Sequence, residues 1–212
     1  MSTPSIARAE RQALCDLLDE LGPEARTLCE GWQTRDLAAH LAVRERRPDA
    51  AAGLIVPALS GYLGKVQHQM ASRPYPEVVQ LVRAGPPSWS PQRIDAVDRA
   101  TNTLEYLVHH EDVRRAQPGW NPRPPDAARE AEVWSRLRFL GKMQARSSPV
   151  GLVLEPPDAA PATIKDGQPA VVMAGPPTEI ALYLAGRSGQ AQVELRGPPE
   201  TVERFRAATF RM

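Results

Sequence analysis

Cysteine is scarce in this sequence, and long apolar runs are missing from it. Among 212 residues only Cys15 and Cys29 are cysteines, too few for a disulfide scaffold and without the spacing of a cysteine-based metal motif. They are predicted to be small buried side chains in a reducing compartment. No apolar run reaches the length of a membrane span, and residues 1–10 lack the apolar segment of a signal peptide. We therefore expect a cytoplasmic protein with no membrane partner.

An excess of either charge is also lacking. The formal net charge is +1, which argues against a protein whose main partner is a nucleic acid or another polyanion. Neither the phosphate loop GxxxxGK(S/T) nor the dinucleotide fingerprint GxGxxG occurs. Proline, in contrast, is abundant, with 22 residues that cluster between periodic segments. Such clusters predict well-separated secondary-structure elements rather than disorder.

Apolar residues recur at helical spacing through the first two thirds of the chain. Glycine and proline end most of these segments, and the connections between them are short. The pattern predicts an antiparallel bundle of four to five helices over residues 1–146. The helical segments are 6–21, 35–47, 59–70, a short piece at 77–83, 92–116 and 126–146.

The periodicity changes at Ser147. Short apolar or alternating runs at 150–154, 162–165, 170–173 and 190–195 predict strands. Two short helices are expected among them, one ending at Leu184 and one at Pro199–Ala208. Residues 147–212 are therefore predicted to form a small C-terminal α/β domain, and the whole chain an α+β protein. A unit of this size is near the lower limit for independent stability.

Two side chains in the long central helix have the spacing of metal ligands. Glu105 and His109 are four residues apart, so they lie on one helical face, one turn apart. His40, on the inward side of an earlier helix, is a candidate third ligand, because facing helices of a bundle deliver ligands inward. Two imidazoles and one carboxylate form a catalytic zinc set, although iron, nickel and manganese accept the same donors. The alternative is a solvated Glu–His pair and a hydrogen-bonded core histidine.

The other histidines are weaker candidates. His110 lies about 100° around the helix from His109, so the two neighbours are not expected to bind one ion. His110 is kept as a reserve ligand, and His68 is predicted to be a surface or structural residue.

These residues also match a known pattern. The segment Thr27–Leu41, with Trp32, Thr34, Asp36-Leu37 and His40, followed by Glu105-x-x-x-His109, resembles the DinB-like metal-binding bundle of the mycothiol-dependent maleylpyruvate isomerase family of actinobacteria. Residues 175–187 resemble the helix and Gly-Arg of that family's small C-terminal domain. The resemblance covers nearly the whole chain. It implies a divalent metal ion, most simply zinc, bound by His40, Glu105 and His109.

The resemblance also implies a chemistry. The metal would take a small-molecule thiol, such as mycothiol, in its open position and lower the thiol's pKa from about 8.5. The resulting thiolate would attack a small electrophile, giving an isomerase or an S-transferase. Arg44, one turn beyond His40, and Arg187 are predicted to bind substrate carboxylates. The sequence departs from the characterised isomerases at Arg115 and the proline-rich residues 117–125, which argues against maleylpyruvate itself as substrate.

Two functions from different classes remain open at this stage. One is the thiol-using enzyme, and the alternative is a non-catalytic protein that keeps the bundle and its metal for stability or sensing. Structural zinc sites usually have four protein ligands. A fourth ligand such as His110 or Asp112 would therefore favour the non-catalytic protein, and a vestigial site would bind no ion at all. The sequence makes no prediction about the oligomeric state.

Overall fold

A computed structural model describes residues 5–54 and 56–210, without the side chain of Leu54. The chain divides into two compact units, residues 1–122 and 123–212. The outermost residues of both predicted domains, 1–4 and 211–212, lie outside the described part, as does Ile55.

The first unit is helical. Its helices are α1 (Ile6–Leu21), α2 (Thr34–Arg46), the short α3 (Pro48–Ala51), α4 (Ser60–Ala71), α5 (Tyr75–Ala84) and α6 (Asp95–Arg114). Short 3-10 turns at Ala52–Leu54, Pro57–Leu59 and Pro91–Arg93 connect some of them. This order confirms the helices expected from periodicity and adds α3, which the alanine-rich sequence around it did not predict.

Local sequence explains where the first helices begin and end. The Ser5 side chain accepts a hydrogen bond from the Arg8 amide and caps α1, as serine commonly does. Gly22, at φ 76°, ends α1 in a backbone conformation that residues with a Cβ rarely adopt. Helix α2 begins with a capping box in which Gln33 and Asp36 exchange side-chain and backbone hydrogen bonds. Gln33 is therefore the N-cap of α2, and Thr34 is its first helical residue.

The core of the first unit forms where α1, α2, α5 and α6 meet. Helix α6 packs along α1, and α2 contacts α4 and α5. The core residues share full or nearly full burial: Leu14, Cys15, Leu18, Leu37, Ala38, Leu41, Ala42, Val78, Val79, Val82, Tyr106 and Val113. Burial of such side chains contributes roughly 1.5–3 kcal/mol each, so this cluster fixes the relative positions of α2 and α6.

The second unit combines helices with a mixed sheet. It contains α7 (Ala127–Gln144), β1 (Gly151–Glu155), β2 (Ala162–Lys165), β3 (Ala170–Ala174), α8 (Pro177–Leu184), β4 (Glu194–Arg196) and α9 (Pro199–Arg206). The strand order is β2-β1-β3-β4. Strands β1 and β3 are parallel, whereas β2 and β4 pair antiparallel at the two edges. The architecture is therefore α+β, as predicted.

Helix α7 packs within this second unit. It contacts α8 and β2, and Glu130 on α7 accepts hydrogen bonds of 2.8 Å from both the amide and the hydroxyl of Thr178 at the start of α8. By compactness the units separate between Pro122 and Arg123, ahead of α7, whereas the sequence placed this helix in the bundle. Its helical periodicity was visible in the sequence, but the partner it packs on was not.

Candidate metal centre

Helix α2 delivers the first candidate ligand. His40 is 8% exposed and lies among the buried residues of α2. The ring of Trp32, in the loop before the helix, lies 5.1 Å from the imidazole centroid. Hydrogen bonds in the loop between α1 and α2 hold Trp32 in this position. The Thr27 hydroxyl accepts from the Cys29 amide and donates to the carbonyl oxygens of Cys29 and Trp32, the latter at 2.9 Å. The imidazole is thus held between an aromatic ring and the core.

Helix α6 delivers the other two candidates from adjacent turns. Glu105 Oε1 lies 3.4 Å from His40 Nε2 and 3.5 Å from His109 Nε2. The two imidazole rings are 5.4 Å apart and nearly perpendicular. The structure therefore brings together His40, Glu105 and His109, with donor atoms that all lie within 4.8 Å of one another.

These separations fit a shared ion better than direct hydrogen bonds. Metal bonds of about 2.0–2.2 Å in tetrahedral geometry place neighbouring donor atoms roughly 3.3–3.6 Å apart. Hydrogen bonds from nitrogen to oxygen are typically about 2.7–3.2 Å. Both Glu105–histidine distances fall in the first range, and one carboxylate oxygen faces both Nε2 atoms. The donor set and its spacing therefore fit a divalent cation.

Outer partners hold both imidazoles by their other nitrogen. His109 Nδ1 lies 2.9 Å from Asp112 Oδ2, one helical turn further along α6. His40 Nδ1 lies 2.9 Å from Nε2 of the Gln67 side-chain amide on α4. A carboxylate or amide oxygen on Nδ1 fixes the tautomer in which Nε2 has the lone pair. For His40 the Gln67 amide nitrogen instead donates to Nδ1, which places the ring proton on Nε2. Metal binding through Nε2 of His40 therefore requires this amide to turn and present its oxygen to Nδ1.

A second group of metal-type donors shares His109. Cys29 Sγ lies 3.2 Å from Asp112 Oδ2 and 3.9 Å from His109 Nδ1, and these three residues also form a possible ligand set. The 2.9 Å contact between His109 and Asp112 is a hydrogen-bond length and is too short for two ligands of one zinc ion. We therefore assign Cys29 and Asp112 to the surroundings of the His40 group.

Burial and neighbouring charges shift the pKa of every member of the group. Burial lowers the pKa of His40, which favours the neutral imidazole. For Glu105 burial acts to raise the pKa, but hydrogen bonds to His109 and His40 and the charge of Arg44 hold it well below its usual range. For His109 burial acts to lower the pKa, but Asp112, Cys29 and Glu105 raise it well above its usual value. The raised pKa of His109 therefore opposes metal binding, because a histidine ligand must be neutral at the nitrogen that binds the metal.

The two arginines predicted to bind substrate are both engaged by their own units. Arg44 Nε lies 3.2 Å from Glu105 Oε1, Nη1 donates to Asn102 at 2.6 Å and Nη2 donates to the Thr101 carbonyl at 2.8 Å. Arg187, after α8, donates to the Ala185 carbonyl within the second unit. Their predicted roles in substrate binding stay predictions.

The remaining histidines lie away from the candidate centre. His110 is buried, and its Nδ1 lies 2.7 Å from Glu10 Oε2 on α1, so it ties two helices together. His68 is exposed on α4. Among the described residues, neither belongs to a group that could hold a metal.

The residues that contact the three candidate ligands from outside were not predicted from the sequence, although helical spacing could have indicated some of them. Asp112 lies three residues after His109, a spacing that places both on one helical face, so its contact with His109 could have been predicted. Asn102 lies three residues before Glu105 and has the same kind of spacing. Gln67 and Cys29 have no such signal, because Gln67 lies on α4 and Cys29 in the loop before α2, and only the packing of the helices brings them to the site.

Comparison with solved structures identifies the fold of this chain. No protein-family model and no curated protein matches the chain. Among solved structures, the crystal structure of a mycothiol-dependent maleylpyruvate isomerase matches with a TM-score of 0.58 and 18% identity, covering 92% of this chain and 93% of that one. A histidine-to-alanine mutant of a mycothiol-dependent maleylpyruvate isomerase matches with a TM-score of 0.54 over the same coverage.

The chain has the fold of a mycothiol-dependent maleylpyruvate isomerase. The match extends over both units, so the fold expected from the motif around His40 is confirmed over nearly the whole chain. Within the described residues, no helix is both long enough and apolar enough to cross a membrane.

Proposed function

We propose that this protein is a metal-dependent enzyme that uses a small-molecule thiol, of the mycothiol type, to isomerise or S-conjugate a small electrophile. The observation that supports it is the single oxygen of Glu105 facing Nε2 of both His40 and His109 at 3.4 and 3.5 Å. Three protein ligands leave a coordination position open, as in catalytic zinc sites. Zinc is the metal we favour, and the donors also suit iron, nickel or manganese.

The chain's own residues would prepare this centre for a thiol. A bound divalent ion would supply the positive charge that lowers a thiol's pKa and yields the nucleophilic thiolate at neutral pH. His40 and His109 would hold the ion through Nε2, and Glu105 would contribute one negative charge. Asp112 would keep His109 in the required tautomer. Trp32 and the apolar residues of α2 would limit the access of water around His40.

The open position separates this proposal from the non-catalytic alternative. A stabilising or sensing site would be expected to have a fourth protein ligand. Asp112 bonds to Nδ1 of His109, on the far side of the ring from Nε2, and His110 bonds to Glu10. Among the described residues, neither belongs to the ligand group of His40, Glu105 and His109. This favours the enzyme over the non-catalytic protein.

The names of the structural neighbours suggest the thiol and the reaction class. Both neighbours are described as mycothiol-dependent maleylpyruvate isomerases, so mycothiol and an unsaturated or otherwise electrophilic small molecule are our proposed partners. We also propose that Arg44 and Arg187 contact carboxylates of that molecule. For Arg44 this would use guanidinium donors beyond the three already engaged. The two cysteines are thiols, in keeping with our proposal of a cytoplasmic location.

Metal analysis with matched histidine variants tests the proposal. Purified protein is loaded with Zn²⁺, desalted and analysed by mass spectrometry for bound metal. We expect about one equivalent for wild type and for His68→Ala, which removes an exposed histidine, but a small fraction of that for His40→Ala. Because ligands couple metal binding to folding, chelation should also lower the melting temperature of wild type and not that of His40→Ala.

Thiol binding to the Co²⁺-loaded protein separates the two functions. Mycothiol that enters an open position should produce an intense sulfur-to-cobalt charge-transfer band in the near ultraviolet. Stoichiometric metal without this band would favour the non-catalytic protein. Equal metal content in wild type and His40→Ala would disprove the assigned centre altogether.

A further inference from the structure

The guanidinium of Arg44 is fixed beside the candidate metal centre rather than free in solution. Its side chain is 16% exposed, and Nε lies 3.2 Å from Glu105 Oε1, the same oxygen that faces both imidazoles. Its other acceptors, the Asn102 amide oxygen and the Thr101 carbonyl, are uncharged. Glu105 is therefore the carboxylate that faces this cation, and a metal ion would share that carboxylate with Arg44.

Asn102 is suited to holding this cation because its amide both accepts and donates. Oδ1 accepts from Arg44 Nη1 at 2.6 Å, and Nδ2 donates to Asp98 Oδ1 at 2.8 Å. Arg44 has only donors and ionised Asp98 only acceptors, so the orientation of the amide follows from its neighbours. Asn102 is 0% and Asp98 2% exposed. A buried amide between a cation and an anion leaves Arg44 Nη1 little freedom to move.

Asp98 is itself anchored in the core. It lies 3.4 Å from Arg11 Nη2, which donates to Glu45 Oε1 at 2.6 Å. The hydroxyl of Tyr106 donates to the same Glu45 oxygen at 2.7 Å. A continuous line of buried polar contacts therefore runs from the core of the bundle through Asn102 to Arg44 and ends on the proposed metal ligand Glu105.

We propose that Asn102 is a positioning residue that fixes the charge of Arg44 against Glu105. This charge lowers the affinity of the three ligands for the metal, and it raises the affinity of the metal's open position for an anionic ligand. The inference rests on the proposed function for the presence of a metal. Two neutral imidazoles, one carboxylate and a divalent ion sum to one positive charge. Arg44 adds a second at short range, where partial burial limits screening. A thiolate is the kind of ligand that such a charge selects.

The proposed role of the Arg44 charge predicts opposite changes in the affinity for the metal and in the affinity of the bound metal for an anion. We expect Arg44→Met to bind Co²⁺ about tenfold more tightly, measured by competition with a chromophoric chelator, because a fixed positive charge is removed. The Co²⁺-loaded variant should bind thiocyanate and 2-mercaptoethanol about tenfold more weakly, measured from the visible spectrum. If Arg44 served only to support Glu105, both affinities would fall together, as for other outer-shell losses.

Asn102→Leu should also raise the Co²⁺ affinity and lower the anion affinity, but by smaller factors. Arg44 would keep its charge in this variant but lose the hydrogen bond that fixes its position. In the double variant we expect no more change than in Arg44→Met alone, since Asn102 acts through Arg44. Thr103→Val is the matched control: Thr103 is also buried on α6, and its hydroxyl bonds to the Arg99 carbonyl. Should Asn102→Leu fail to fold, Asn102→Ala replaces it.

The outcomes also separate this inference from the proposed function. A wild-type protein that binds no Co²⁺ overturns both. Wild-type metal binding with unchanged or jointly reduced affinities in Arg44→Met overturns the charge effect alone. Additive changes in the double variant overturn the role of Asn102. Thiocyanate binding without 2-mercaptoethanol binding supports the charge effect and contradicts the proposed thiol cofactor.

Discussion

Replacing Tyr106 by phenylalanine removes one hydroxyl from the buried ion network of the first unit. Tyr106 is 0% exposed, and its hydroxyl donates to Glu45 Oε1 at 2.7 Å. The Arg11 guanidinium lies 4.5 Å from the ring centroid and donates to the same oxygen. Phenylalanine keeps the ring beneath Arg11, so the substitution removes the hydrogen bond and leaves the cation–π contact in place.

The structure sets the size of the loss. A hydrogen bond to a charged group contributes about 1.5–3 kcal/mol. Among the described residues Glu45 Oε2 has no hydrogen-bond partner, so the carboxylate already depends on the donors at Oε1. We expect Tyr106→Phe to lower the free energy of unfolding by about 2 kcal/mol. With a urea m-value of about 2 kcal/mol per molar, the midpoint would fall by roughly 1 M.

Urea unfolding followed by circular dichroism, with chelator present so that metal does not contribute, measures this difference. Tyr62→Phe is the control, because the Tyr62 hydroxyl bonds to Asp49 on the exposed surface, where such contacts contribute little. A Tyr106→Phe protein as stable as wild type would refute the reasoning. It would mean that the hydroxyl orients Glu45 without adding net stability.

Three further predictions concern single side chains. Gly64→Ala should raise the free energy of unfolding by about 0.5–1 kcal/mol, because Gly64 lies inside α4 and an added Cβ would meet nothing within 4 Å; a loss of stability on urea unfolding would contradict this. Burial raises the pKa of Cys15 to about 12, so iodoacetamide at pH 8 should leave it unmodified in the native protein and label it in urea, as read by mass spectrometry. Burial also raises the pKa of Tyr75 to about 12 and that of Tyr106 well above 10. Their contribution to stability is present below the unfolded pKa of about 10 and is lost as pH rises towards the folded values. Absorbance at 295 nm should therefore show both protonated in native protein at pH 10.5, and ionisation of either one before unfolding would be inconsistent with its burial.

The helices could be predicted because residues close in sequence determine where each helix begins and ends. Helix α1 was expected at 6–21 and occupies Ile6–Leu21, between a serine cap and a glycine. Strand β2 likewise occupies the predicted 162–165. Strand β4 was expected at 190–195 but covers only Glu194–Arg196, because the residues before it bond to α8 and its flanking turn instead.

The sequence predicted the three central residues of the candidate site, and helical spacing also places Asn102 and Asp112 beside Glu105 and His109. The i, i+4 spacing of Glu105 and His109 is a property of one helix, and the inward face of α2 indicated His40. The role of Arg44 was not predictable in the same way. Its position one turn from His40 suggested a substrate ligand, whereas its contacts with Glu105 and Asn102 depend on how α2 and α6 pack. Distances between helices are not encoded in the spacing within either one.

Helix α6 is buried around most of its circumference, with 12 of its 20 residues in the interior, so apolar contacts alone would define its rotation poorly. Polar ties to its neighbours remove that ambiguity: Asn102 to Arg44, Tyr106 to Glu45 and His110 to Glu10. A turn of the helix by one residue, about 100°, would break all three ties at once and leave buried polar groups without partners. These ties therefore set the rotational register of α6, and the accuracy with which Glu105 and His109 meet His40 depends on residues that would not bind the metal.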